Sequence, residues 1–287
     1  MTDHLLLDVS SLLYRAFHAL PSSIRDDAGR PVGAVRGYLD MVARVRADRR
    51  PDVLVHVLDD AERPAARVAA WLGYKAERPQ PPPELLAQFA LLRELLAAAG
   101  EQVAYAAGWE ADDAIAALVA SADAADHVEV LTGDRDLLQL VDDGGPVVRV
   151  LFTERGVSQL KVYDEGAVLE RHGVPPARYA DYAALRGDPS DGLPGVRGVG
   201  ERTARDLVTR FGDLDGVLAA ADGLSARLGQ RLTEASGYLA AMREVVPVRR
   251  DVALIVEDGP GDDDALATLA AERRLEGALA RFLEARA

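Results

Sequence analysis

The chain has 287 residues, 49% hydrophobic and 28% charged, which is enough for one large globular domain or two smaller ones and excludes disorder. The absence of cysteine excludes disulfides, thiolate-held metals and a cysteine nucleophile, and no apolar run is long enough to span a membrane. The 33 basic residues against 47 acidic ones, a balance of −14, exclude a uniformly basic surface, and MTDHLLLDVSS has neither a basic leader nor a long apolar signal, so a cytoplasmic location is expected.

From Leu5 to about Phe152, short apolar runs alternate with longer amphipathic stretches, the pattern of a mostly parallel sheet clothed by helices. Strands are predicted at Leu5–Val9, Val53–Leu58, Gln102–Tyr105, Val128–Leu131 and Val147–Leu151. Helices are predicted at Ser11–Ala19, Ala34–Ala47, Glu84–Ala99, Glu110–Ala122 and Asp134–Val141. Arg78-Pro79-Gln80-Pro81-Pro82-Pro83 reads as a stiff exposed connection, because proline fixes its own φ and withdraws an amide donor. Beyond Tyr163 the pattern turns to short helices with Gly- and Pro-rich joints: Glu165–His172, Pro176–Leu185, Asp188–Gly200 and Thr203–Phe211. An α/β domain over 1–176 followed by an all-α part over 177–287 is expected, with a charged helical tail from about Pro260 that carries no readable motif.

In an open α/β sheet, ligands bind beyond the carboxyl ends of the strands. Asp8 ends the first predicted strand, and Asp59 and Asp60 follow the second. Glu110, Asp112 and Asp113 open a helix after the third, and Asp134 and Asp136 follow the fourth through Thr132-Gly133. Taken singly, each group is explained by helix capping. Together they would crowd like charges on one edge, which needs a positive partner. A hard divalent cation, Mg²⁺ or Mn²⁺, suits carboxylate oxygens. The five histidines, His4, His18, His56, His127 and His172, are too scattered to suggest zinc.

Asp188 and Asp191 of the Gly187-Asp188-Pro189-Ser190-Asp191 turn bring the set to Asp8, Asp60, Glu110, Asp112, Asp113, Asp134, Asp136, Asp188 and Asp191. So many acids point to two ions or more, about 3.5–4 Å apart in two-metal sites, clamping the attacking and leaving oxygens of a phosphodiester. Phosphoryl chemistry with water as the nucleophile is expected.

The motifs occur in a fixed order: Leu5-Leu6-Leu7-Asp8-Val9-Ser10-Ser11 running on to Tyr14-Arg15-Ala16-Phe17-His18, then Gly73-Tyr74-Lys75, Glu110-Ala111-Asp112-Asp113, Thr132-Gly133-Asp134-Arg135-Asp136 and Gly187 to Gly200. In this the chain closely resembles, from about residue 4 to 255, the bacterial 5′-nuclease family: the 5′-3′ exonuclease domain of DNA polymerase I, bacteriophage 5′-exonucleases and flap endonucleases. The resemblance implies a PIN-like nuclease domain with a helical arch at about 62–90 and an all-α helix-three-turn-helix domain with its hairpin at about 188–212.

It also implies roles. Asp8, Asp60, Glu110 and Asp112 would serve a first metal region and Asp134, Asp136 and Asp191 a second, with Asp113 and Asp188 acting through water. Asp60 is preferred because it stands fifteen residues before Lys75, with Asp59 as the alternative. Lys75, Arg67 and Arg78 would hold the scissile phosphate, although Arg67 and Arg78 also fit a solvated helix face. Arg15 and Tyr74 would contact substrate; Tyr74, Phe17 and His18 could stack on a base, and Phe17 fits a core position equally well.

Gly195-Val196-Arg197-Gly198-Val199-Gly200-Glu201-Arg202-Thr203-Ala204 fails as a dinucleotide fingerprint, since Thr203 stands where a third glycine belongs and no strand precedes it. It works as a helix-hairpin-helix turn, in which Gly198 and Gly200 admit a phosphate, helix-start amides at Thr203 face it and Arg202 adds charge. The family binds duplex backbone there, with a monovalent cation such as K⁺ on loop carbonyls. Gly192 stands where many members have Asn, and no role is assigned to it.

The expectation is thus a metal-dependent 5′-3′ exonuclease and flap endonuclease acting on DNA flaps, nicks and junctions and on RNA primer 5′ ends in replication and repair. It would be a monomer without membrane attachment, with the polymerase acting in trans. A catalytically inactive DNA-structure binder would lack the carboxylates. A haloacid-dehalogenase-like phosphatase would need an acid at Ser10, and toxin-like PIN ribonucleases are shorter and lack the helical domain.

Overall fold

Strand β1 (Asp3–Asp8) sends Leu5 and Leu7 to one face of the sheet and Leu6 to the other, all three buried. A parallel strand covered on both sides needs such an unbroken apolar run. In the computed structural model, which describes residues 1–154 and 156–286, the other predicted strands form as β2 (Val53–Val57), β3 (Val103–Ala106), β4 (His127–Thr132) and β5 (Val147–Phe152). Two further strands, β6 (Lys161–Tyr163) and β7 (Leu254–Glu257), pair antiparallel at the two edges. Among the described residues the order is β6-β5-β4-β1-β2-β3-β7. β1 lies between β2 and β4, so the chain direction of winding reverses beside Asp8, at the switch point where α/β sheets open a crevice.

One face is covered by α1 (Val9–Ala19), α2 (Gly33–Arg49) and α4 (Pro83–Ala98). The short α3 (Ala65–Ala70) lies between β2 and α4. The other face carries α5 (Ala111–Ser121). It also carries α6 (Glu165–His172), α7 (Tyr179–Arg186), α8 (Glu201–Phe211), α9 (Leu214–Ala219), α10 (Ala226–Glu234) and α11 (Ser236–Val245), which contribute to the same core. The proline-rich connection 78–82 has no regular structure, as expected, and Pro83 occupies the first turn of α4.

Three expectations are corrected. Asp134–Val141 is not an α-helix but a 3-10 turn at Asp136–Leu140, and Asp188–Gly200 holds only a 3-10 turn at Pro189–Asp191. In the latter, Pro189 and Pro194 lack amide donors and Gly192, Gly195 and Gly198 have positive φ, which breaks any α-helix. The segment 177–287 is not purely helical: β7 extends the sheet at β3, and the tail forms α12 (Asp263–Arg273) and α13 (Glu276–Glu284) on the α2–α4 face. Leu266, Ala270, Leu275, Leu279 and Phe282 recur at helical spacing and are buried there, so the charged tail has an apolar stripe.

Candidate active site

At the carboxyl ends of β1, β2 and β4, and at the start of α5, a cleft of about 840 Å³ is lined by Asp8, Asp59, Asp60, Glu110, Asp112, Asp134, Asp136, Asp188 and Asp191. Lys75, Arg78 and Arg135 share it, and Tyr14, Leu86 and Phe89 form an apolar wall. The strand register puts Asp8 opposite Val57 and aligns Leu7 with Leu131, so three chain segments deliver acids to one place.

Asp8 is 3% exposed. Thr132 Oγ1 donates to it at 2.6 Å and Ser11 N–H at 3.1 Å. Burial raises its pKa to about 7 against the Thr132 hydrogen bond, with repulsion from Asp59 and Asp134 added. Asp112 and Asp136 are pushed well above the usual carboxylate range, by burial and then by Asp134. Asp134 is raised by burial, against the Asp136 N–H that it accepts at 2.9 Å, with Asp191 and Asp188 repelling it. The donor set is all oxygen, and Lys75 is the cation that moderates the charge at Asp112, Asp134 and Asp136. Such a set fits hard divalent ions. Among the described residues no three of these side chains form a ready-made ligand group.

Asp59 and Asp60 both line the cleft; Asp59 accepts from Ala111 N–H at 2.7 Å and Asp60 from Gly108 N–H at 2.6 Å. It is the charge of Asp59, the alternative, that bears on Asp8. Glu110 accepts from Tyr74 Oη at 2.7 Å, from Lys75 Nζ and from Arg67 Nη1. Burial raises its pKa, opposed by Lys75 and Arg67. Burial also works against the Lys75 charge, but Glu110 and Asp191 outweigh it and hold the ammonium above its ordinary range. Arg78 Nη2 is 2.7 Å from Asp191 Oδ1.

Three placements depart from expectation. The Arg67 side chain is 3% exposed, with Nη1 and Nη2 each 2.7 Å from Asp113 and Nε donating to the Val245 carbonyl at 3.0 Å. This buried pair, not a phosphate, uses its guanidinium. Asp113 is fully buried, accepts Arg249 N–H at 2.8 Å besides Arg67, and does not line the cleft. Tyr74 is 4% exposed with its hydroxyl on Glu110, which leaves no ring face for a base. Arg15 is half-buried with its guanidinium beside Gly133. Phe17 is half-buried and His18 exposed, their rings 5.3 Å apart edge to face.

The turn before α8 exposes Arg197, Gly198, Gly200 and Arg202, with Val196 and Val199 buried beneath and Thr203 half-buried. Gly200 caps α8, and a Cβ there would meet open space. Gly198 has a φ of 73°, and a Cβ on it would overlap the guanidinium of Arg231 from α10. Arg231 escapes sequence reasoning because more than thirty residues separate it from the glycines. Thr132, which joins Asp8 to Asp134, was legible only as a motif member.

The family model for the 5′-3′ exonuclease N-terminal resolvase-like domain matches residues 3–173, and that for the 5′-3′ exonuclease C-terminal SAM fold matches residues 174–272. The chain belongs to the 5′-3′ exonuclease family. A family relative named 5′-3′ exonuclease, from Streptomyces coelicolor, is 46% identical over 97% of this chain and 98% of its own. One of the same name from Mycobacterium tuberculosis is 41% identical over 98% and 96%. The Mycobacterium leprae DNA polymerase I is 39% identical over 88% of this chain but only 27% of its own length. The fold is shared with the T5 D15 protein co-crystallised with metal ions, at a TM-score of 0.68, 18% identity and 99% coverage of both chains. It is shared also with the Rad2 catalytic core in complex with DNA, at 0.58, 16% identity, 99% of this chain and 91% of that one. No helix among the described residues is long and apolar enough to cross a membrane.

Proposed function

We propose that this 5′-3′ exonuclease family member is a divalent-metal-dependent nuclease that hydrolyses DNA phosphodiesters near single-strand to duplex junctions. It would cut flaps and nicked strands from the 5′ side, leave a 3′-hydroxyl and a 5′-phosphate, and work as a cytoplasmic monomer. The observation that carries the reading is a group of mutually repelling carboxylates, Asp8 buried and Asp112, Asp134 and Asp136 half-buried, in one cleft beside Lys75 and Arg78. Asp8, Asp59 or Asp60, Glu110 and Asp112 would hold one ion, and Asp134, Asp136, Asp188 and Asp191 a second. Mg²⁺ or Mn²⁺ bound there supplies Lewis-acid charge for the phosphodiester and the attacking water.

The chain's own groups do the rest. Lys75 and Arg78, paired with Glu110 and Asp191, stand where they can grip non-bridging oxygens and offset the charge that develops as the P–O bond breaks. Thr132 keeps Asp8 and Asp134 in fixed relation. The Gly198–Thr203 turn, with Arg197, Arg202 and a K⁺ on loop carbonyls, would hold the duplex by its backbone, so recognition depends on nucleic-acid shape rather than base sequence. Tyr14, Leu86 and Phe89, which line the same cleft as the acids, suit an unstacked 5′ strand of DNA or of an RNA primer.

The test incubates 5′-labelled flap, nicked and blunt duplexes with the protein and Mg²⁺, beside EDTA and Asp134→Asn controls. Cleavage that needs both the ion and Asp134 is expected, and product lengths separate exonuclease from flap cutting. Equal cleavage by the control overturns the reading.

A further inference from the structure

Gly192 lies on a seam between the Asp188–Asp191 turn and the Gly73-Tyr74-Lys75 loop. Its φ is 71°, and a Cβ on it would overlap the carbonyl oxygen of Gly73. Two hydrogen bonds cross the seam: Trp71 Nε1 donates to the Gly192 carbonyl at 3.0 Å, and Lys75 N–H donates to the Asp191 carbonyl at 2.8 Å. Behind the loop, Arg63 donates to the carbonyls of Tyr74 at 2.8 Å and Leu72 at 3.2 Å. The Trp71 ring meets Tyr238 edge to face at 5.3 Å, and Tyr238 Oη accepts Gly195 N–H at 3.1 Å.

Lys75 itself has a φ of 50°, a left-handed conformation that a side-chain-bearing residue keeps only when its surroundings impose it. The direction of its ammonium therefore depends on how firmly the loop is held against the turn.

We propose that Trp71 is a positioning residue: by pinning the Gly192 carbonyl it keeps the Lys75 backbone in register with Asp191, and with it the ammonium that grips the scissile phosphate. In this chain the two backbones approach so closely that a Cβ at 192 would overlap the Gly73 carbonyl oxygen unless loop and turn moved apart. The inference rests on the nuclease reading above and names a part of its phosphate grip.

Trp71→Phe keeps an aromatic ring against Tyr238 and removes the N–H. Single-turnover cleavage of a 5′-labelled flap in Mg²⁺ is expected to fall about tenfold, while flap affinity measured by anisotropy in EDTA stays unchanged. Gly192→Ala should give the same split, and Gly223→Ala, whose Cβ meets open space, should give none. A double-mutant cycle with Lys75→Ala decides the route: if Trp71 acts through Lys75, adding Trp71→Phe to that variant slows it no further. An unaltered rate in Trp71→Phe, a parallel loss of affinity, or equal losses with and without Lys75 would overturn the proposal. A native chain that leaves the flap uncut in Mg²⁺ and Mn²⁺ would instead overturn the nuclease reading.

Discussion

The Thr132 hydroxyl joins two strand ends: it donates to Asp8 at 2.6 Å while accepting Asp134 N–H at 2.8 Å. One side chain thereby ties the Asp8 carboxylate to the backbone of Asp134, whose charge opposes that of Asp8. Thr132→Val keeps the shape and removes both bonds. It should cost about 1–3 kcal/mol, the usual penalty for leaving a buried polar group unpaired, and weaken divalent-ion binding about tenfold. Urea unfolding and calorimetry with Mn²⁺ check the two effects.

Stability in the absence of metal should depend on pH in an unusual direction. Asp8 titrates near pH 7 in the folded chain and at its ordinary 3.8 when unfolded, and Asp112, Asp134 and Asp136 shift the same way. Between those values the folded state holds protons that the unfolded state has released, so stability falls as pH rises through that window. Glu101 has the opposite dependence. Burial works against its charge, but His56 and Arg46 outweigh that and hold it at about 2, so its contribution is lost only below its ordinary 4.5. The midpoint of thermal unfolding in EDTA should therefore drop from pH 5 to pH 7.5, and Mg²⁺ should reverse the trend. A flat profile would count against the repulsion on which the site depends.

Asp134→Asn removes one charge from that group. Cleavage is expected to fall by about 10²–10³-fold, yet the metal-free protein should melt at a higher temperature than the native one. Flap cleavage and calorimetry in EDTA measure the two opposed effects on one sample.

Arg67 and Arg78 should part company. Arg67→Met strips a buried pair of its cation and is expected to cost about 3–5 kcal/mol of stability. Arg78→Ala touches an exposed guanidinium and should leave unfolding nearly unchanged while slowing cleavage about 10²-fold. Denaturant unfolding run beside single-turnover rates separates them.

The Arg231 guanidinium stands against Gly198 in the turn proposed to hold the duplex and would add its charge there, so Arg231→Ala should weaken duplex binding to about the same degree for any sequence and reduce the slope of log affinity against log salt by about 1. Anisotropy over a salt series tests this, and an unchanged slope removes Arg231 from the duplex contact.

The parallel sheet and its acidic edge were legible because the strands are short apolar runs, three of which, β1, β2 and β4, lead within two residues into aspartates, and strand ends on one edge of a sheet converge whatever lies between them. What escaped depends on distant partners. Nothing near Arg67 announces that Asp113 and the Val245 carbonyl will enclose it. Gly192 is explained only by Gly73, which approaches from another part of the chain. β7 is four residues long and mostly exposed at the sheet edge, so it lacks the alternation that marks a strand. In α12 and α13 the apolar stripe is thin against many charges, and its meaning comes from α2 and α4 beneath.

The return of β7 to β3, followed by α12 and α13 on the far side of the sheet, makes the helical region an excursion that leaves and rejoins one frame. A limb fastened at a single point can swivel; one fastened at both ends transmits force. Pulling on α8 by a bound duplex would therefore tug at two borders of the same sheet at once. Cutting the chain near residue 250 would free one of those anchorages and bare the β3 edge to any passing strand.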